Sequence, residues 1–154
     1  MKVAIRGFNG SYRFLSNFWP CVIYLDEKAY PSLEHAYQAA KTLDEEELAW
    51  IRAAPTPWSA KRRGRRVTIR EDWDRIKKRI MFELVMDKFT QDESLKKKLL
   101  ETGNASLVED NTWGDTYWGK CNGEGKNHLG KILMRARKEI RQLDRHGKVW
   151  LGRT

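Results

Sequence analysis

Pro31-Ser32-Leu33-Glu34-His35-Ala36-Tyr37-Gln38-Ala39-Ala40-Lys41 is the stretch on which the reading of this chain turns. Ser32 suits a helix N-cap, because its hydroxyl can accept a free backbone N–H of the first turn. The spacing then predicts a helix from Leu33 to about Leu43. Leu33, Ala36, Ala40 and Leu43 fall on one side of it. Glu34, Gln38 and Lys41 fall on the other, at i, i+4 and i+7, within an arc of roughly 60°. A carboxylate, an amide and an ammonium in one stripe fit a reaction site. They fit equally well a solvated face with a Glu–Lys bridge. His35 points about 100° away from Glu34 and reads as a structural histidine rather than a catalytic partner.

Working upstream, Val22-Ile23-Tyr24-Leu25 and Lys28-Ala29-Tyr30 flank the turn residues Asp26-Glu27 and predict a small hairpin, with a short strand at Val3–Ile5. Downstream, a helix is expected from Asp44 with Leu48, Ile51 and Ala54 inward, and another from Thr56-Pro57, with Thr as cap and Pro at the first position. Asp72 can cap a helix that carries Ile76, Ile80, Leu84 and Phe89 inward. Thr90-Gln91-Asp92-Glu93 fits a capping box before Leu95 and Leu99, and Gly103 would end that helix. Residues 104–126 read as a structured loop. A last helix from Asn127 buries Leu129, Leu133, Ala136 and Ile140. The expectation is an α+β fold, predominantly α-helical, with a small antiparallel β element, in one domain over residues 1–154.

A chain of 154 residues fits one domain with a core of its own. No stretch approaches the roughly 18 apolar residues of a membrane span. The leading segment Met1 to Arg6 lacks the apolar run of a signal peptide, so a cytoplasmic protein is expected. Cys21 and Cys121, with His35, His128 and His146, do not have metal-site spacing, so neither a metal nor an organic cofactor is expected. The net charge of +9 is concentrated in Lys61-Arg62-Arg63-Gly64-Arg65-Arg66, in Lys96-Lys97-Lys98 and in the stretch Arg135 to Arg153. Such blocks suit a polyanion or a phosphorylated substrate, or simply a solvated basic surface.

Three further segments offer chemistry. Asn111-Thr112-Trp113-Gly114-Asp115-Thr116-Tyr117-Trp118-Gly119 sets aromatic rings beside a carboxylate, a composition suited to stacking on a flat ligand and stabilising a developing cation. It is also what a loop that covers the core with its rings would look like. Gly123-Glu124-Gly125-Lys126-Asn127 precedes a helix, where backbone N–H groups and Lys126 could meet an anion. Arg70-Glu71-Asp72-Trp73 and Phe14-Leu15-Ser16-Asn17-Phe18 say little alone.

In order along the chain, these segments together resemble the YbiA-like, or NADAR, family of N-glycosidases. The pieces that carry the resemblance are Phe14 to Phe18, Pro31 to Lys41, Gly64-Arg65, Arg70 to Trp73, Asp115 to Gly119 and Gly125-Lys126-Asn127-His128-Leu129-Gly130. The resemblance implies an α-rich fold and hydrolysis of an N-glycosidic bond between a base or amine and a ribose phosphate. Its known substrate themes are ribosylamino-pyrimidine phosphates of riboflavin synthesis and ADP-ribose on a nucleobase. By similarity, Glu34, Trp73 and Asp115 match positions tied to activity. Asn17, Lys41, Trp118 and Asn127 match motif positions expected in the pocket, joined there by Gln38, Arg65, Gly119 and Lys126. Lys120-Cys121-Asn122 stands where a more glycine-rich run is expected, which bears on the anion contacts of this loop and not on the carboxylates.

Cleaving a ribosyl C–N bond passes through an oxocarbenium-like state, which calls for a carboxylate near the anomeric carbon, a base for water and help for the leaving nitrogen. Glu34 is expected to activate water or stabilise the cation, and Asp115 to take the complementary role. Trp73 or Trp118 would stack on the departing heterocycle, while Lys41 and Arg65 hold phosphate or tune Glu34. Two rivals stand beside this reading. One is an ADP-ribosyl-guanine hydrolase acting on DNA; the other is a non-catalytic nucleic-acid-binding module that uses the basic surface. Oligomeric state leaves no mark on the sequence.

Overall fold

The structure, a computed structural model, describes residues 3–152. Met1, Lys2, Arg153 and Thr154 lie outside the described residues, and with them the start of the leading segment and the end of the C-terminal basic stretch. In chain order the elements are β1 (Ala4–Arg6), a 3₁₀ helix (Gly10–Leu15), β2 (Pro20–Leu25), β3 (Lys28–Ser32), α1 (Leu33–Ala39), α2 (Glu45–Arg52), α3 (Pro57–Gly64), α4 (Trp73–Gln91), α5 (Glu93–Glu101), β4 (Ser106–Val108), β5 (Asp110–Asn111), β6 (Lys120–Cys121) and α6 (His128–Arg145). The class is α+β, mostly helical, as the sequence predicts. Among the described residues, no helix is long and apolar enough to cross a membrane. The chain divides into two compact units, Asn17–Leu84 and the remainder.

In the first unit, β2 and β3 form the antiparallel hairpin, with Asp26 and Glu27 both at positive φ (49° and 67°). Those angles make the two-residue turn that matches strand twist. The hairpin delivers Ser32, whose hydroxyl accepts the His35 N–H at 3.1 Å and starts α1. All seven residues of α1 are buried, so it is covered on every side rather than on one stripe. It packs against β2, β3, α2 and α3. The helix stops at Ala39, short of the expected Leu43. Thr42 Oγ1 captures the Asp44 N–H at 3.1 Å, and Asp44 then caps α2 through the Glu47 N–H at 3.0 Å. Two successive capping signals end one helix and begin the next, so Leu43 is thrown outward (69% exposed) instead of packing inward. Thr56, Pro57 and Ser59 open α3 with a capping box.

In the second unit, the 104–126 segment is not a loop throughout. β4 pairs with β1 in parallel (Ala4 with Ser106), and β5 pairs with β6 in parallel. Of the three strand pairs among the described residues, only β2–β3 is antiparallel. Asn122 and Gly123, both at positive φ, close the tight turn that returns Glu124 to Cys121. The capping box expected at Thr90 is also replaced. α4 runs on to Gln91, with Thr90 Oγ1 donating to the Met86 carbonyl, and Asp92 caps α5 through the Ser94 and Leu95 N–H groups. Leu129, Leu133, Ala136 and Ile140 of α6 are buried as expected.

Candidate active site

The first unit brings together Asn17, Glu34, Gln38, Lys41 and Trp73. Glu34 leads α1, where its backbone N–H donates to the Asn17 carbonyl at 3.0 Å, so the Ser16-Asn17 turn ties directly to the helix start. Glu34 is 7% exposed, so its part of the stripe is not a solvated face. Gln38, 4% exposed, donates Nε2–H to Glu34 Oε1 at 2.9 Å. The i, i+4 spacing on α1 is what lets these two side chains meet.

Lys41 lies in the turn after α1 rather than on the helix. Burial pushes its ammonium below the usual lysine range. The Glu34 carboxylate pushes back up, and the positive charges of Arg65, Lys61 and Lys77 press down again. Its Nζ stands 5.8 Å from the Tyr37 ring centre. Lys41 therefore shares its surroundings with one buried carboxylate and three further cations, an arrangement suited to an anionic ligand. Arg65 caps α3 and is exposed.

Trp73 is 6% exposed, with its ring centre 5.2 Å from that of Tyr37. In this arrangement it backs Tyr37 rather than offering a free stacking face. His35 is structural, as expected: Nδ1 meets Ser32 Oγ at 2.7 Å and Nε2 meets the Ala54 carbonyl at 2.9 Å.

The second unit places Asp115, Trp118, Gly119, Lys126 and Asn127 around one loop. Asp115 Oδ1 accepts the N–H groups of Tyr117 and Trp118 at 3.0 and 2.9 Å, capping the turn that follows it. Asn111 holds the loop from below. Its Oδ1 accepts the Asp115 N–H, while its Nδ2 donates to the Asp115 carbonyl and to Glu109 Oε2. Tyr117, Trp118 and His128 form a ring cluster, with centres 4.6 to 6.4 Å apart.

The anion cradle expected before α6 is not open. The N–H groups of Lys126, Asn127, His128 and Leu129 donate to the carbonyls of Thr116, Gly119, Tyr117 and Trp118. Asn127, at φ 52°, has its side chain engaged as well: Nδ2 donates to Leu107 O and Oδ1 accepts the Glu109 N–H, each at 3.0 Å. These bonds fasten the aromatic loop to the head of α6.

The sequence reading gave no role to four contributors: Tyr37, Gly64, Glu109 and Asn111. Gly64 entered that reading as a break in the basic block and as part of the Gly64-Arg65 motif, with no role of its own. A Cβ there would overlap Gln38 Oε1, so the site needs glycine for room, not for backbone freedom. Gly119 is alike, since a Cβ would strike the Glu109 carboxylate and carbonyl and Asn111 Nδ2.

The NADAR domain model matches residues 7–141. An N-glycosidase of Nostoc punctiforme is 42% identical over 138 residues, covering 86% of this chain and 88% of that one. N-glycosidase YbiA of Escherichia coli is 40% identical over 134 residues, covering 84% of this chain and 82% of that one. The NMR structure of E. coli YbiA superposes with a TM-score of 0.84 at 35% identity, over 94% of this chain and 89% of that one. A riboflavin biosynthesis protein of Vibrio vulnificus is 36% identical over 135 residues, which are 86% of this chain but 36% of that longer one. The chain therefore belongs to the NADAR family and is an enzyme of its N-glycosidase class.

Proposed function

We propose that the substrate is a ribosylamino-pyrimidine phosphate of the riboflavin-synthesis type, and that Glu34 is the carboxylate at the reacting carbon. The observation that carries this reading is a buried Glu34 held by Gln38, with the desolvated Lys41 beside it. A carboxylate fixed on a rigid helix, away from bulk water, interacts with a developing oxocarbenium charge more strongly than a hydrated one. As the C1–N bond breaks, its electron pair leaves with nitrogen. Water adds its oxygen to C1 and gives a proton to the carboxylate, which returns it to the leaving group or solvent. Lys41, with Arg65 close enough to act on it, supplies positive charge for the substrate phosphate. The likeness to part of a riboflavin biosynthesis protein supports the choice of leaving group. Asp115 is assigned the complementary role on its motif; its second carboxylate oxygen accepts no hydrogen bond among the described residues.

The test is release of ribose 5-phosphate from a ribosylamino-pyrimidine phosphate by wild type and Glu34→Gln. Release by wild type alone supports both the substrate and the residue. No release by the folded wild type overturns the substrate.

One feature favours a second reading, ADP-ribose removal from DNA. Trp50 and Trp58 are exposed, with Arg63 5.2 Å and Lys61 5.9 Å from their respective ring centres, and Arg62, Arg65 and Arg66 are exposed nearby in sequence. Rings among cations are a platform for bases and phosphates. Trp58→Ala with Arg62→Ala should then weaken release from ADP-ribosylated DNA and leave release from the small phosphate intact. Equal effects on both substrates, or none on DNA, remove this reading.

A further inference from the structure

Among the described residues, one buried side-chain polar atom has no hydrogen-bond partner, and it is Gln38 Oε1. It belongs to the same amide that donates to Glu34. A buried acceptor without a donor loses its hydration with nothing in return, and such a defect in a native fold calls for a reason.

The orientation of the amide follows from chemistry. An ionised carboxylate only accepts, so the Nε2 end must face Glu34 and the oxygen must face the other way. What lies there is Gly64, the last residue of α3, whose missing side chain is all that makes room. A Cβ on residue 64 would overlap Gln38 Oε1 and crowd the amide carbon. Turning the amide over would give the oxygen a worse neighbour, the Glu34 carboxylate. The N–H on Glu34 and the orphaned oxygen against Gly64 are therefore two consequences of one placement.

We propose that Gln38 and Gly64 form a positioning pair for Glu34: the glycine sets the amide, and the amide N–H fixes the carboxylate and favours its ionised form. This rests on Glu34 being the reacting carboxylate. Gln38 acts through Glu34 rather than on substrate, so its loss should lower kcat and leave KM nearly unchanged. A donor to an ionised carboxylate also lowers the proton affinity of that carboxylate, so its removal should move the acid limb of kcat/KM to higher pH. Lys41, in the turn after α1, feels Glu34 together with Arg65 and Lys61 at the end of α3 and Lys77 on α4; none of these four cations is changed by the substitutions below.

The experiment compares wild type, Glu34→Gln, Gln38→Leu, Gly64→Ala, Gln38→Ala and Gly64→Ala/Gln38→Ala, using a ribosylamino-pyrimidine 5-phosphate and following thermal midpoint beside kinetics. Leucine has similar bulk and no orphaned acceptor. Gln38→Leu should keep the thermal midpoint while kcat falls on the order of tenfold, with the acid limb displaced upward. Gly64→Ala should give the same kinetic signature, and adding it to Gln38→Ala should cost little more, because the side chain it strikes has gone. A loss of midpoint in step with activity, with the pH profile unmoved, makes the pair merely structural and overturns the proposal. So does an unshifted, fully active Gln38→Leu beside an inactive Glu34→Gln. A fully active Glu34→Gln instead overturns the reading of Glu34 itself, which keeps the two failures apart.

Discussion

Glu34 stands on a helix whose seven residues are all buried, whereas Asp115 stands in a loop whose neighbours Gly114 and Thr116 are exposed. The helix carboxylate is placed by packing and by partners that include the Gln38 amide. The loop carboxylate helps to build its own surroundings, with one oxygen capping the Tyr117–Trp118 turn. The same functional group is thus a product of the fold in one region and a cause of it in the other. Removing the charge and removing the acceptor should therefore have one combined consequence at Glu34 and two separable ones at Asp115.

The largest effect is expected at Glu34. Glu34→Gln keeps the shape of the side chain and removes the charge, and turnover should fall by about 10²–10⁴-fold with little change in thermal midpoint. At Asp115 the contrast is drawn by a pair of variants. Asp115→Asn retains Oδ1 as an acceptor, so it should melt near wild type; if its charge serves the reaction, it should lose about 10²-fold in turnover. Asp115→Ala removes two cap bonds and should lose about 1–2 kcal/mol of stability. A fully active Asp115→Asn beside an unstable Asp115→Ala would reduce this residue to loop construction. Smaller again is Gly119→Ala, whose Cβ strikes Glu109 and Asn111; denaturant unfolding should register about 1–3 kcal/mol. An undisturbed Gly119→Ala would mean that the loop yields readily, and the contrast with α1 would lose its basis.

The two regions also differ in how far they can be read without coordinates. On α1 the signals are local: Ser32 caps, the stripe has helical spacing, and i, i+4 contact follows from the helix itself. The Asp115 loop depends on partners that spacing does not announce. β4 finds β1 with Ser106 opposite Ala4, and Asn127 reaches back to Leu107 and Glu109. The failed anion cradle has the same origin. Glycines before a helix advertise free N–H groups, but the competing acceptors, the carbonyls of residues 116–119, become visible only when the loop is folded over them. Gly64 was hidden for a related reason. Its value lies in what sits opposite, the Gln38 amide, and a glycine inside a basic run gives no sign of that. Asn122-Gly123 was legible and passed unread, being a common pair for a two-residue turn.

The smallest expected effect separates Glu34 from its own neighbour. His35 is 1% exposed, and its Nε2 meets a carbonyl, which can only accept; the proton of the neutral ring is therefore on Nε2, and Nδ1 accepts from the Ser32 hydroxyl. Burial pushes the ring below the ordinary histidine range, and the Arg63 charge adds to this, while the Ala54 carbonyl opposes it. In the unfolded chain the ring titrates near its ordinary value of about 6.5. Below that pH the unfolded state holds a proton that the native state refuses, so stability falls as pH drops from about 6.5 toward the lowered native value, and is unaffected above it. Unfolding midpoints between about pH 8 and about pH 5 should show this slope in wild type and a shallower one in His35→Asn. The acid limb of kcat/KM belongs to Glu34 on this account and should be common to both proteins. If His35→Asn moves the kinetic limb and leaves the stability slope unchanged, the roles given to these adjacent residues are reversed, and the contrast between the helix carboxylate and the loop carboxylate would have to be redrawn around the histidine.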